Sequence, residues 1–310
     1  MLHANGFPDP FREFIVKQSI RYQKWRVLAG LVLLLSGCGT NQSMPRQEAA
    51  VVLLPEQLDE SSGLVCVEDE FISFNDSGGL PVLYRFDQTG QIQQQLKVKA
   101  ENTDWEAISS DGEFLYLADV GNNAGKRSNL QIHKIPLNWS TLKQPYLPDT
   151  VQLSIPELGL VNAYQHDLDF EAIGYHQQQL WLFSKSWASG MPSVYRLDPA
   201  LTAQELGKPE PVLSPGFLIT DASYDSSSGL WWMVGYPNPF QAVLAHLTGT
   251  GYQPQLAKYN SQFQLLEVKA LPTTGQVEGL CIDRHQQIWI SEETSAQGAA
   301  RLIKTGLSSK

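Results

Sequence analysis

Five short strings in this chain share one apolar spacing and carry acids at matching places: ESSGLV from Glu60, DWEAIS from Asp104, DFEAIG from Asp169, ITDASY from Ile219 and QVEGLC from Gln276. Laid over one another, one column reads Ser62, Glu106, Glu171, Asp221 and Glu278. The column two residues earlier reads Glu60, Asp104, Asp169, Ile219 and Gln276. A spacing of two puts both columns on one face of an extended strand. Where such strands lie side by side, the acids converge. Two carboxylates about 4 Å apart repel by roughly 4 kcal/mol at an effective dielectric near 20. Such a ring therefore retains protons or takes up a cation. Ca2+ accepts about six to eight oxygens in flexible geometry, which suits acids, amides and water together. More oxygen donors stand close by: Asn75 and Asp76 in FND, and Asp119, Asn122 and Asn123 in ADVGNN. Taken singly, each acid reads better as a turn residue bonding backbone amides. The column as a whole reads as a site.

Three other candidates carry less. Residues 74–79, FNDSGG, resemble the Gly-Asp-Ser-Gly-Gly run around the nucleophile of chymotrypsin-like proteases. That triad has its histidine upstream of the serine, and only His3 precedes Ser77. A triad in another chain order would need His133 or His166 and is not expected. The stretch reads as a strand end followed by a tight loop, where glycine tolerates positive φ. Lys185, in LFSKSW, ends the second apolar run of its unit, where neighbouring units carry Asp76, Asp119 and Glu292. It reads as a counter-charge to the acids or as a holder of an anionic ligand group. His166, in HDLDFEAI, precedes the acidic column and is a base candidate of a kind usually solvated in loops. No catalytic residue is assigned.

The elements that must position these residues follow from the rest of each unit. A second apolar run comes after each acidic string: FISFND, FLYLADV, LWLFSK, LWWMVGY and IWISEE. Third runs are VLYRFD, LQIHKI, SVYRLD, VLAHLT and ARLIKT, and fourth runs QQQLKV, TVQLSI, EPVLS and FQLLEV. All are rich in β-branched and aromatic residues and are separated by Gly, Pro, Asp, Asn and Ser. No long stretch has a 3.6-residue period. Four short strands recurring about every 45–65 residues describe a β-propeller blade. The expected fold is all-β: a propeller of five four-stranded blades, or six if the long spacer between Glu106 and Glu171 hides a degenerate one. The last unit ends after three runs, and VVLLP at residues 51–55 has no unit. It is expected to supply the missing outer strand and close the ring. The first strand of each blade lines a propeller's channel, so the acids should meet at one mouth. Trp105, Phe170, Trp181, Trp231, Trp232 and Trp289 then pack blades together.

The N-terminal region has a different character. Arg21, Lys24 and Arg26 precede the apolar residues 27–38, VLAGLVLLLSGC. A basic region before a short apolar run is a secretory signal rather than a membrane span. LSGC at residues 35–38 resembles the lipobox of bacterial lipoproteins. That resemblance implies acylation of Cys38, a membrane partnership through the N-terminal lipid, and a location in the bacterial cell envelope. Gly39, rather than aspartate, points to the outer membrane facing the periplasm. The expected organisation is a signal peptide at 1–37, a polar tether at 38–50 and a propeller domain at 51–310. Five basic and two acidic residues precede Cys38, so totals of 22 and 32 become 17 and 30 in the mature chain, net −13. An acidic surface argues against nucleic acid and favours cations. A monomer is expected. With Cys38 acylated, Cys66 and Cys281 remain. They can pair in an oxidising compartment, but their apolar, strand-like surroundings suit two buried thiols better.

The strings E-x-x-G-L, D-W-E-A-I, D-F-E-A-I and V-E-G-L, one per blade, resemble those of phytase-like and SdiA-regulated propeller proteins. They are more distantly similar to the calcium-dependent lactonase and paraoxonase propellers. The resemblance spans most of residues 58–290. It implies a channel metal, Ca2+, borne by Glu106, Glu171, Asp221 and Glu278. Glu60, Asp76, Asp104, Asp119, Asp169 and Lys185 surround it as ligand-binding candidates. The column holds little amide, and no catalytic histidine dyad is present. The leading functional expectation is an envelope-anchored platform whose channel mouth binds a small molecule or a protein. The alternative is a metal-dependent hydrolase of phosphoesters, esters or lactones that uses the channel acids.

Overall fold

A strand with apolar side chains on both faces has to be covered twice. In FLYLAD the alternation sends Leu115 and Leu117 to one side and Tyr116 and Ala118 to the other. The same holds for each second strand, and a ring of stacked sheets is the arrangement that covers both faces of every one. The computed structural model describes residues 50–155, 161–239 and 251–310. The chain divides into two units, 1–46 and 47–310, and the described residues all belong to the second. The expected signal peptide, Cys38 and the tether up to residue 49 lie outside the described residues.

Strand β1 (Ala50–Leu53) precedes the first blade, and a single 3-10 turn, Glu56–Leu58, follows it. Blade one is β2 (Ser61–Val67), β3 (Glu70–Asn75), β4 (Val82–Asp87) and β5 (Ile92–Lys97). Blade two is β6 (Trp105–Ser110), β7 (Phe114–Asp119), β8 (Asn129–Pro136) and β9 (Asp149–Ser154). Blade three has β10 (Phe170–His176), β11 (Gln179–Ser184) and β12 (Ser193–Leu197). Its chain then sends β13 (Ala203–Glu205) to pair in parallel with β9, and returns with β14 (Glu210–Pro211) as the short outer strand. Blade four is β15 (Leu218–Asp225), β16 (Leu230–Tyr236), β17 (Gln255–Tyr259) and β18 (Leu265–Ala270). Blade five is β19 (Val277–Ile282), β20 (Gln287–Glu292) and β21 (Arg301–Ser308). It is completed by β1, antiparallel to β21 with Val51 opposite Ile303.

The fold is therefore a five-bladed propeller closed by its N-terminal strand. The spacer between Glu106 and Glu171 holds no sixth blade: its described strands, β7, β8 and β9, all belong to blade two. The third strand of blade four is β17, not the VLAHLT run at residues 243–248, which lies outside the described residues. Each pair of neighbouring blades shares one apolar layer. Trp105, Ile108 and Leu117 of blade two meet Ile72, Phe74 and Leu83 of blade one. Between blades five and one, Trp289 and Leu302 meet Phe71 and Phe86. The innermost strands β2, β6, β10, β15 and β19 touch in ring order, β19 next to β2.

The seam between the last blade and the first is fastened twice. Besides β1, a disulfide joins Cys66 on β2 to Cys281 on β19, with Cα atoms 5.5 Å apart. The expectation of two buried thiols is thus overturned. Sequence reasoning weighed each cysteine in its own strand. It is ring closure that brings residues 215 positions apart face to face.

Candidate functional site

Every innermost strand is irregular at one place. On β6 the pairing steps from Trp105↔Asp119 to Ala107↔Ala118, leaving Glu106 as the extra residue. On β10 the extra residue is Glu171, on β19 Glu278 and on β15 Thr220. On β2 the shift follows Ser62. A bulge re-aims its extra side chain, and in three blades that side chain is a glutamate. Asp221 is one residue out of this column. Its carboxylate accepts the N–H groups of Ala222 (2.8 Å) and Leu280 (2.6 Å), tying blade four to blade five. Thr220 occupies the bulge and donates its hydroxyl to Val277 O at 2.7 Å.

A second column lies one step past the residues that pair with Ser61, Trp105, Phe170, Ile219 and Val277. Pairing partners Asn75, Asp119, Ser184, Gly235 and Glu292 are followed by Asp76, Val120, Lys185, Tyr236 and Glu293. Lys185 therefore shares its column with Asp76 and Glu293, not with Asp119 and Glu292. Those two acids each take an arginine instead: Asp119 pairs with Arg127 at 2.7 Å and Glu292 with Arg301 at 2.5 Å. Glu293 and Tyr236 were missed in the sequence. Counting one residue past the apolar run in every unit would have found them.

The two columns meet at one end of the inner strands. Lys185 Nζ lies 2.9 Å from Glu171 Oε2, and both side chains are only 6% exposed. The ammonium also sits 4.9 Å from the Trp187 ring and 5.6 Å from the Tyr236 ring. Tyr236 donates its hydroxyl to Glu278 Oε1 at 3.0 Å, and Gln276 Nε2 donates to the same oxygen at 2.9 Å. On the side of blades one and two, carboxylate oxygens of Asp76, Asp104 and Glu106 all lie within 4.8 Å of one another. Gly121 closes over them: a Cβ there would collide with Glu106 Oε1 and Asp104 Oδ2. The Glu106 carboxylate accepts no hydrogen bond among the described residues.

Burial dominates the electrostatics. It pushes Asp76 up to about 7, with the Asp104 charge adding to the effect. Asp104 rises to about 6 through burial and then the Asp169 charge. Glu106 is driven well above the usual carboxylate range by burial and then Glu171, and Glu293 by burial and then Glu278. Burial works against the Lys185 charge, but Glu171, Tyr236, Glu278 and Asp169 together outweigh it and hold the ammonium well above its ordinary value.

The other sequence candidates are held structurally. Asp169 accepts Asn122 N–H and Trp187 Nε1–H, both at 2.6 Å. Its charge still reaches Glu106 and Glu171. The Asn122 side chain is bonded to Arg127 and Leu168 backbone. Glu60 bears on Glu293 through its charge. His166 takes the Leu168 N–H on Nδ1 at 3.2 Å and contacts Asn123 O through Nε2 at 3.3 Å, so both ring nitrogens are engaged. Ser77 is exposed in a turn whose Asp76 carboxylate accepts the Ser77 N–H, with Gly78 at φ 75°.

Fold and site together define a five-bladed propeller with a buried acidic cluster at one end of its inner strands. No protein family matches the chain, and no curated protein matches it. Solved structures do, and they are β-propellers. Virginiamycin B lyase from Staphylococcus aureus is 12% identical over 82% of this chain and 69% of its own, at TM-score 0.38. A putative oxidoreductase (glucose dehydrogenase) from Thermus thermophilus is 11% identical over 83% and 99%, at 0.42. A hypothetical protein from Leishmania major is 10% identical over 82% and 89%, at 0.49. Likeness at this level extends to the fold alone.

Proposed function

We infer that this chain is an envelope-anchored propeller that holds one divalent cation, Ca2+, in its acidic cluster and presents that mouth to a ligand or partner. The observation that carries the cation is the trio Asp76, Asp104 and Glu106, whose oxygens lie within 4.8 Å of one another. Lys185, the ammonium nearest the cluster, is already paired with Glu171, and the Arg127 guanidinium with Asp119. Carboxylates, turn carbonyls and water match the oxygen donors that Ca2+ prefers. Anchoring through Cys38 rests on the lipobox-like LSGC. The Cys66–Cys281 disulfide supports export independently, since such bonds persist in oxidising compartments. The acidic strings themselves resemble those of phytase-like and SdiA-regulated propellers.

Calcium titration by calorimetry tests the cation site. One Ca2+ per chain should bind and raise the melting temperature, and Glu106→Gln should abolish both. No binding in the unsubstituted protein overturns the reading. In parallel, esters, lactones and phosphoesters are screened with calcium and with chelator. Chelator-sensitive turnover lost in Glu171→Gln would replace the platform by a metal-dependent hydrolase.

A further inference from the structure

The loop that joins β8 to β9 crosses to the neighbouring blade. Tyr146 N donates to Lys97 O at 2.8 Å and Lys99 N to Tyr146 O at 2.7 Å. The Gln144 amide takes the Lys97 N–H at 3.1 Å and donates to Gln95 O at 3.1 Å. Trp139, from the same loop, is buried in the apolar layer between blades one and two. The loop thus walls a cleft of about 510 Å3 between the edge of blade one and the outer half of blade two. That volume lies within the range of about 300–1,000 Å3 of small-ligand sites.

Its floor comes from one face of two strands: Asn129, Gln131 and His133 on β8, Thr150 and Gln152 on β9. Gln131 Nε2 donates to Gln152 Oε1 at 3.2 Å. Gln131 Oε1 and Gln152 Nε2 remain, one acceptor and one donor without a protein partner among the described residues. His133, 2% exposed, bonds Thr150 Oγ1 through Nδ1 at 3.0 Å. Its Nε2 is buried with no partner, an arrangement that costs about 1–3 kcal/mol, so the polar contacts open to a ligand come from the glutamines. Arg127 lines one end, but its guanidinium is committed to Gly121 O and to Asp119. Lys99 and Glu101 line the same cleft, so its formal charges, with Asp119 and Arg127, sum to zero.

The lining therefore offers paired neutral donors and acceptors and no uncommitted guanidinium for an anion. Hydroxyl groups, which give one hydrogen bond and take others, match such a surface. We propose that the cleft between blades one and two binds a neutral polyhydroxylated ligand, a short oligosaccharide. Gln131 and Gln152 bridge neighbouring hydroxyls. The site is separate from the axial cluster.

The full chain in a sugar-free detergent is titrated with maltotriose, cellotriose and N-acetylated chitotriose, with trialanine and citrate as other chemistries. At least one saccharide should bind saturably. Gln131→Ala and Gln152→Ala, both substitutions of solvent-accessible side chains, should each weaken it at least tenfold, and chelator should leave it unchanged. No saturable saccharide binding, or binding by trialanine or citrate alone, overturns the proposal. So does saccharide binding that the glutamine variants leave intact, or that chelator abolishes.

Discussion

Raised carboxyl pKa values make a specific claim about how stability varies with pH. A carboxyl whose folded pKa exceeds its unfolded value binds more protons in the folded state between the two. Stability therefore falls as pH rises through that window. For Asp76 the window runs from 3.8 to about 7, and for Asp104 from 3.8 to about 6. At about 1.36 kcal/mol per unit the full Asp76 shift corresponds to roughly 4 kcal/mol. Both groups are part exposed, and they interact with one another, so screening and coupling reduce the combined loss to about 3 kcal/mol. Asp87, Asp111 and Asp225, whose carboxyls are lowered, act only below this window. His133 and His176, held below the usual imidazole range by burial, work in the opposite direction.

Calcium separates these contributions, because it competes with protons at the acids alone. Urea unfolding followed by tryptophan fluorescence, at steps from pH 4.5 to 7.5, should show the chelated protein losing about 3 kcal/mol relative to the calcium-loaded one across the range. Saturation at about 100 times Kd restores roughly 2.7 kcal/mol at the upper end and much less at the lower, where the acids hold protons. A calcium increment independent of pH, or absent at pH 7.5, would refute both the buried cluster and the cation it is argued to hold.

Glu106→Gln should stabilise the calcium-free protein at pH 7.5, because it removes a buried charge that no donor supports; a loss of stability in urea melts would contradict this. Lys185→Met leaves Glu171 buried without its partner and should cost about 3–5 kcal/mol, most of it recovered by adding Glu171→Leu; a single variant within about 1 kcal/mol of the parent would show the pair to be dispensable. The Cys66→Ser, Cys281→Ser double variant opens a loop of 215 residues, worth about 5 kcal/mol in the chain-entropy model. Alkylation of the unreduced protein, read by mass spectrometry, should find neither thiol free. Deleting residues 1–55 removes β1 and leaves blade five with three strands, so cooperative unfolding should be lost; an unchanged transition would show that closure does not depend on β1.

The repeat was legible because each blade repeats the same problem of covering two faces, and the apolar positions report it directly. Closure by residues 51–55 was legible from a deficit, one unit short of a strand. The acidic cluster was legible in type but not in register. A bulge inserts one residue into one strand only, so alignment on apolar positions is true up to the bulge and shifts after it. Asp221 was placed in the glutamate column for that reason, and Asp119 and Glu292 beside Lys185 for the related error at the second strand's end. The cleft was not legible at all. Its residues come from β8, β9 and a connecting loop, and what makes it a cleft is that the loop rests on blade one.

The acids divide between those held by structural partners and those of the unsupported cluster. Asp169 and Asp221 accept backbone or indole N–H groups at 2.6 Å to 2.8 Å, and Asp119 and Glu292 each take an arginine. Those acids need nothing further. Glu171 and Glu278 share Lys185, Tyr236 and Gln276, so the half of the cluster built by blades three to five carries its own cation. Among the described residues Glu106 has neither donor nor counter-ion, and burial raises its neighbours, with the Asp104 charge adding to the effect on Asp76 and the Asp169 charge to that on Asp104. The carboxylates with the fewest partners thus lie at blades one and two, on the side where Gly121 lets the backbone close over them.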